Sequence, residues 1–246
     1  MSIASRLAPT VGEKQRPRKA SILKHRHHLI IAKDMPMDEN RRPIKTRSAR
    51  WARHITDLLV KRDLSPNQIS VASIVFALIG IIALNIDNGV TGSILCAIGI
   101  QLRLLCNLFD GMVAIEGGRK SDIGSLYNEF PDRIADSLLL VGLGYAIGYP
   151  DLGWFAALAA ALTAYVRVFG GSIGLAQSFI GPMAKQHRMA VMTVALLLNA
   201  VEATLYASHY MLVIALIIIA AGSVATCVTR TLAIARQLKG AAHVDQ

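Results

Sequence analysis

Six apolar blocks, at about 68 to 86, 92 to 114, 125 to 148, 152 to 177, 188 to 206 and 209 to 235, fill the chain from residue 68 onward. Each is close to or above the roughly 20 residues that a helix needs to cross a bilayer. The turns between them are marked by Asp87-Asn88-Gly89, Gly117-Gly118, Tyr149-Pro150-Asp151, Gly181-Pro182 and Ala207-Ser208. The expected fold is therefore all-α and integral to the membrane, with six transmembrane helices preceded by an N-terminal amphipathic surface helix.

Composition sharpens this in one respect. Only 17% of the 246 residues are charged, against roughly 25% in soluble domains. Yet the formal net charge is +10, and the basic residues crowd into the first 66 positions. A basic balance suits nucleic acid or anionic lipid. Next to apolar blocks the lipid reading is preferred, because Lys and Arg beside a membrane helix are drawn to the anionic cytoplasmic leaflet. No nucleic-acid partner is expected. Cys96, Cys106 and Cys227 lie inside apolar stretches without a pairing motif and read as small hydrophobes. No early apolar segment with a cleavage site opens the chain, so the first membrane helix is expected to act as the insertion signal.

Four segments follow. Residues 1–44 form a basic, flexible cytoplasmic arm. Its run Lys24-His25-Arg26-His27-His28 reads as a solvated segment facing lipid headgroups in preference to a metal tract. Residues 45–66 form an amphipathic juxtamembrane helix, with Trp51, Ile55, Leu58 and Leu59 at helical spacing and Arg50, Arg53 and Lys61 between them. Ser65 before Pro66 is a helix-start signal. Residues 67–238 are the six-helix membrane domain, and 239–246 a cytoplasmic tail. If six helices cross, every short loop bearing Lys or Arg falls on one side. The positive-inside rule makes that side cytoplasmic and places both termini there.

Within this apolar chain, Asn107, Asp110, Asn128 and Asp132 put four oxygen-bearing side chains at intervals of three or four. Such intervals place Asn107 with Asp110, and Asn128 with Asp132, on shared helix faces. Two such faces side by side would make an oxygen cage of the kind that suits Mg²⁺ or Mn²⁺, at the cytoplasmic level of the membrane. Acidic groups inside a membrane segment are costly and mark function by default.

The stretch N-L-F-D-G-M-V-A-I, then eight residues from Glu116 to Ile123, then G-S-L-Y-N-E-F-P-D, resembles the signature of the CDP-alcohol phosphotransferase family, D-x-x-D-G-x-x-A-R, eight residues, G-x-x-x-D-x-x-x-D. All spacings fit, and Asp110, Gly111, Ala114, Gly124 and Asp132 match in identity. Asn107 and Asn128 stand where the family has its first and third Asp, and Ile115 where it has Arg. Ser65-Pro66-Asn67-Gln68 looks like the family's first membrane helix, so the likeness spans about residues 46 to 238.

The resemblance implies a metal-dependent phosphatidyltransferase that uses CDP-diacylglycerol or another CDP-alcohol and releases CMP. It further implies a homodimer in the inner (cytoplasmic) membrane with its active site facing the cytoplasm. By analogy Asn107, Asp110 and Asn128 hold two divalent cations with Asp132 completing the set, and Asp132 is the base towards the acceptor alcohol. Gly111, Ala114 and Gly124 would line the CDP moiety, with Arg119 standing in for the missing Arg. An Asn oxygen coordinates a hard cation but brings no charge. The site then binds metal more weakly, holds one ion, or recruits Glu116, Asp122, Glu129 or Asp136, of which Asp136 is best placed. On the acceptor side, Arg167, Lys185, His187 and Arg188 suggest a phosphate clamp, and glycerol 3-phosphate or another phosphorylated polyol is the expected acceptor. The alternatives are a head-group transferase acting on a lipid alcohol and a non-catalytic membrane relative. A small-solute transporter is disfavoured because no inverted repeat is evident.

Overall fold

The computed structural model describes residues 49–118 and 123–244. The basic arm with its His-rich run, and Arg119, Lys120 and Asp122, lie outside the described residues. Seven helices make up the described chain: α1 (Arg50–Lys61), α2 (Pro66–Ile86), α3 (Val90–Glu116), α4 (Gly124–Ala146), α5 (Pro150–Ser172), α6 (Lys185–Tyr206) and α7 (Tyr210–Val244). Five of these, α2, α3, α5, α6 and α7, are long and apolar enough to span a membrane. At 23 residues α4 is as long as α5, but it carries Glu129, Asp132, Arg133 and Asp136. The protein is an all-α, multi-pass membrane protein.

The helix starts follow local chemistry. Ser65 accepts from the Gln68 backbone N–H at 3.2 Å, while the Gln68 side chain accepts from the Ser65 N–H at 2.9 Å. This reciprocal box, with Pro66 at the first helical position, fixes the entry to α2. Helix α5 ends at Ser172, five residues before the apolar block does. Gly174, at φ 86°, donates to the Gly171 carbonyl, and Leu175 donates to that of Gly170. This is the left-handed glycine termination that hydropathy does not register. After it, residues 173–184 form an irregular connection, and α6 begins at Lys185.

Inside lipid the hydrophobic effect does not drive helices together, so close approach at small residues does much of the packing. A Cβ on Gly99 of α3 would come 2.7 Å from the Phe76 carbonyl oxygen and 3.1 Å from Gly80 Cα of α2, so these two helices meet backbone to backbone. Helix α2 lies against both α3 and α4, and α6 against α3 and α7. Leu139, Leu140, Leu143, Met192, Leu196, Leu212 and Leu216 fill the largest buried cluster, while Ile79, Leu158, Val201 and Ile217 are exposed on the outside of the helices.

Helix α1 packs on α3. Its buried residues are Ala52 and Thr56, and the Thr56 hydroxyl lies 3.7 Å from Met112 Sδ. The expected apolar stripe divides: Ile55 and Leu59 pack inward, whereas Leu58 is exposed and half-exposed Trp51 turns its ring edge to Phe109 at 6.2 Å. The buried positions of α1 are therefore a small residue and a hydroxyl, as suits a helix laid on another backbone.

Candidate active site

Three polar residues of α3 share a face, Arg103, Asn107 and Asp110, and three of α4 do likewise, Asn128, Asp132 and Asp136. Pro131 lies inside α4 beside Asp132. Lacking an N–H, it leaves the carbonyl four residues earlier without its helical donor. From α2, Ser70 Oγ donates to Asp110 Oδ2 at 2.7 Å, which orients a carboxylate only 5% exposed.

The two signature helices meet through side chains. Asn107 Nδ2 donates to Asp132 Oδ1 at 2.9 Å, and the Lys185 ammonium, arriving from the first turn of α6, donates to the same oxygen. Arg103 donates to the Asp132 backbone carbonyl at 3.2 Å. The Arg133 guanidinium stands 3.7 Å from Asp132 Oδ2. Asp110 is within electrostatic range of both Asp132 and Lys185.

Behind this group lies a fully enclosed ion triad. Asp136 receives Arg103 at 2.6 Å on one oxygen and Arg188 at 2.8 Å on the other, and both guanidinium groups are at most 1% exposed. Arg188 also donates to the Met183 carbonyl at 2.8 Å, tying the 173–184 connection to the triad. Among the described residues Nε of Arg103 and of Arg188 has no hydrogen-bond partner, so the triad is anchored by its carboxylate more than by a complete set of hydrogen bonds.

Nearer the rim, Arg167 pairs with Glu129 at 2.5 Å and with Gln177 Oε1 at 2.6 Å, and lies 5.2 Å over the Phe179 ring. Arg230, near the end of the last apolar block, turns inward. It donates to the carbonyls of Ile180 at 2.9 Å and Thr163 at 2.5 Å. His187 is exposed, with Nδ1 2.9 Å from the Pro182 carbonyl oxygen.

The structure thus brings Asn107, Asp132 and Lys185 into direct contact with Asp110 beside them. Asn128 is exposed, and among the described residues no hydrogen bond joins it to the other three. Gly111 and Ala114 are half-buried next to Asp110, and Gly124 is half-buried at the first position of α4. Glu116 is exposed. The two acidic residues best able to restore lost charge are committed elsewhere, Asp136 to Arg103 and Arg188, and Glu129 to Arg167. Arg188 is correspondingly drawn into the interior. Arg103 escaped the sequence reading. Its signal was present, a lone cation inside the 92–114 block one helical turn before Asn107.

Electrostatically, Asp110, Glu129, Asp132 and Asp136 face Arg103, Arg133, Arg167, Lys185 and Arg188, four carboxylates against five cations. Such a centre attracts a polyanion. Asp110 and the oxygen of Asn107 are donor types that Mg²⁺ and Mn²⁺ prefer, but among the described residues no three His, Cys, Asp or Glu side chains form a metal cluster.

No family model matches the chain. An archaetidylinositol phosphate synthase from Pyrococcus horikoshii is 25% identical over 150 residues, covering 60% of this chain and 77% of the relative. Among solved structures, the phosphatidylinositol phosphate synthase PgsA1 of Mycobacterium tuberculosis with CDP-DAG bound has a TM-score of 0.62 at 18% identity, covering 76% of this chain and 94% of that one. The same enzyme in complex with manganese and citrate has a TM-score of 0.58, again at 18% identity, with 74% and 88% covered. These structures share the fold. Together with the spacing of the signature on α3 and α4, the sequence relative supports the resemblance to the CDP-alcohol phosphotransferase family.

Proposed function

We propose that the protein is a metal-dependent phosphatidyltransferase that moves a phosphatidyl group from CDP-diacylglycerol to an alcohol acceptor, with release of CMP. The observation that carries this reading is the contact of Asn107, Asp132 and Lys185 beside Asp110, where α6 meets the two helices, α3 and α4, whose signature spacing is intact. Asp110, with the oxygens of Asn107 and Asn128, is the place for a divalent cation. Such an ion would supply Lewis-acid neutralisation of the pyrophosphate.

The chain's own residues do the rest. Gly111, Ala114 and Gly124 leave the helix backbones open to close approach by the CDP moiety, and Arg119 belongs to the same end by sequence. Asp132 takes the proton of the acceptor hydroxyl. The hydroxyl oxygen forms the new bond to the lipid-bearing phosphorus while the bond from that phosphorus to CMP breaks. Asn107 and Lys185 fix Asp132 through Oδ1, which leaves Oδ2 for the proton.

Arg167 is our first choice for the acceptor's phosphate. Its partners Glu129 and Gln177 are side chains that a bound anion can displace, and it is 11% exposed. His187 is at the same rim. The acceptor is a phosphorylated polyol. Relatives named for inositol-phosphate lipids put an inositol phosphate ahead of glycerol 3-phosphate as the first compound to try. The enzyme acts as a homodimer in the inner (cytoplasmic) membrane with this site facing the cytoplasm.

The test is release of CMP by the purified protein from CDP-diacylglycerol with Mg²⁺ or Mn²⁺, screened against phosphorylated and free polyols. Asp110→Ala should abolish it. If no acceptor yields CMP from the wild type, the reading as a non-catalytic membrane relative takes its place. Release that needs a soluble CDP-alcohol and a lipid alcohol would instead identify a head-group transferase.

A further inference from the structure

Lys185 sits where sequence reasoning had not put it. It was expected to reach an acceptor, but its ammonium rests on Asp132 Oδ1, the oxygen that also receives Asn107. The Lys185 side chain is 22% exposed and that of Asp132 14%, so the pair is largely withdrawn from water, where a charge contact is screened little. Arg103 at 3.6 Å and Arg133 at 3.7 Å add cationic charge around the same carboxylate.

We propose that Lys185 is a built-in cation of the catalytic centre, so that the site takes a single divalent ion, on the Asp110 side, with the Lys185 ammonium holding the Asp132 side in place of a second. The inference rests on the reading of the site as a cation- and pyrophosphate-binding centre.

The argument is one of charge. A two-ion centre brings four positive charges within about 4 Å and needs carboxylates to offset them. Here the third nearby carboxylate, Asp136, is spent on Arg103 and Arg188, and amides stand at positions 107 and 128. Asp110 and Asp132 remain, and Asp132 already carries an ammonium. One Mg²⁺ held through one or two carboxylates and the substrate's own phosphates is an ordinary arrangement; a second ion finds no unpaired carboxylate beside Lys185. The two amides and the lysine thus form one coordinated change, the amides withdrawing negative charge and Lys185 supplying positive charge.

Titration of the full-length protein in detergent with Mn²⁺, followed by calorimetry and by loss of the free-ion paramagnetic signal, should give one ion per chain. Lys185→Met should bind that ion about tenfold more tightly, because a like charge has been removed. Lys185→Arg should bind it as the wild type does. Asn107→Asp and Asn128→Asp combined with Lys185→Met should take up two ions. Two ions in the wild type, none up to millimolar Mn²⁺, or an unchanged or weaker affinity in Lys185→Met would each overturn the proposal. A merely structural lysine predicts no gain in affinity, and a thermal melt of each variant identifies any that fails to fold. Ion counting uses no substrate, so it separates the two readings. One ion with a tightened Lys185→Met but no CMP release leaves this inference standing and removes the transferase, and CMP release with two ions does the reverse.

Discussion

The two ends of the helix bundle are both rich in polar side chains and use them in opposite ways. At the end away from the signature, Asp87 accepts from the backbone N–H groups of Gly89 at 2.8 Å and Gly92 at 3.2 Å, capping α3. Glu202 accepts from Ser208, Tyr210 N and Met211 N, at 2.6, 2.8 and 2.9 Å, capping α7. Asn85, Asn88 and Asn199 donate to the carbonyls of Gly142, Ala146 and Asn88. These side chains bond the backbone of helix ends and of the turns between them. At the signature end the charged groups chiefly bind one another across helices, Asp136 to Arg103 and Arg188, Asp132 to Lys185, and Glu129 to Arg167. Polar residues that terminate helices are structural. Charges that pair across a gap between helices define a site.

Four substitutions test that contrast. Asp132→Asn should lower turnover by roughly 10²–10⁴-fold, the usual worth of a positioned base, while a thermal melt shows the protein still folded; CMP release at wild-type rate would remove Asp132 as base. Asp136→Ala leaves two buried guanidinium groups unpaired and should cost about 3–5 kcal/mol of stability in denaturant unfolding. A loss below about 1 kcal/mol would mean that the triad is not the anchor of this end. Glu202→Ala removes a cap from α7 and should cost about 1 kcal/mol while CMP release stays at the wild-type level, so a lost activity would break the division between the two ends.

The smallest effect is at Asp87, exposed in the loop after α2. The N–H groups of Gly89 and Gly92 hold its carboxyl below the usual carboxylate value of 3.8. A depressed folded-state value means that the carboxylate stabilises the protein above 3.8, and that this contribution is lost as pH falls through the folded value. Asp87→Asn should therefore unfold slightly more readily than wild type at pH 7, with the gap closing as pH falls below 3.8. A gap independent of pH would show that the charge is not what the loop uses.

Much of this was legible in the chain. The apolar blocks gave the helices, Ser65-Pro66 gave the start of α2, and the spacing of Asn107, Asp110, Asn128 and Asp132 gave the faces on which the site is built. The charge pairings were not legible. Asp136 lies one turn beyond Asp132 and looked like a spare ligand, yet Arg188, 52 residues later, holds it. Arg230 is a buried donor to Thr163, 67 residues away. Hydropathy and periodicity describe one helix at a time, whereas the partner of a buried charge is supplied by another helix.

The sequence alone determined that this chain is a bundle of membrane helices with a polar face on two of them, because period and block length are local properties of the backbone in lipid. It also determined that two signature positions are amides, since covalent identity needs no fold. Only the tertiary structure decided where the compensating charge resides. Lys185 reaches Asp132 across 53 residues of chain, and a contact between charges on separate helices exists only once those helices are packed.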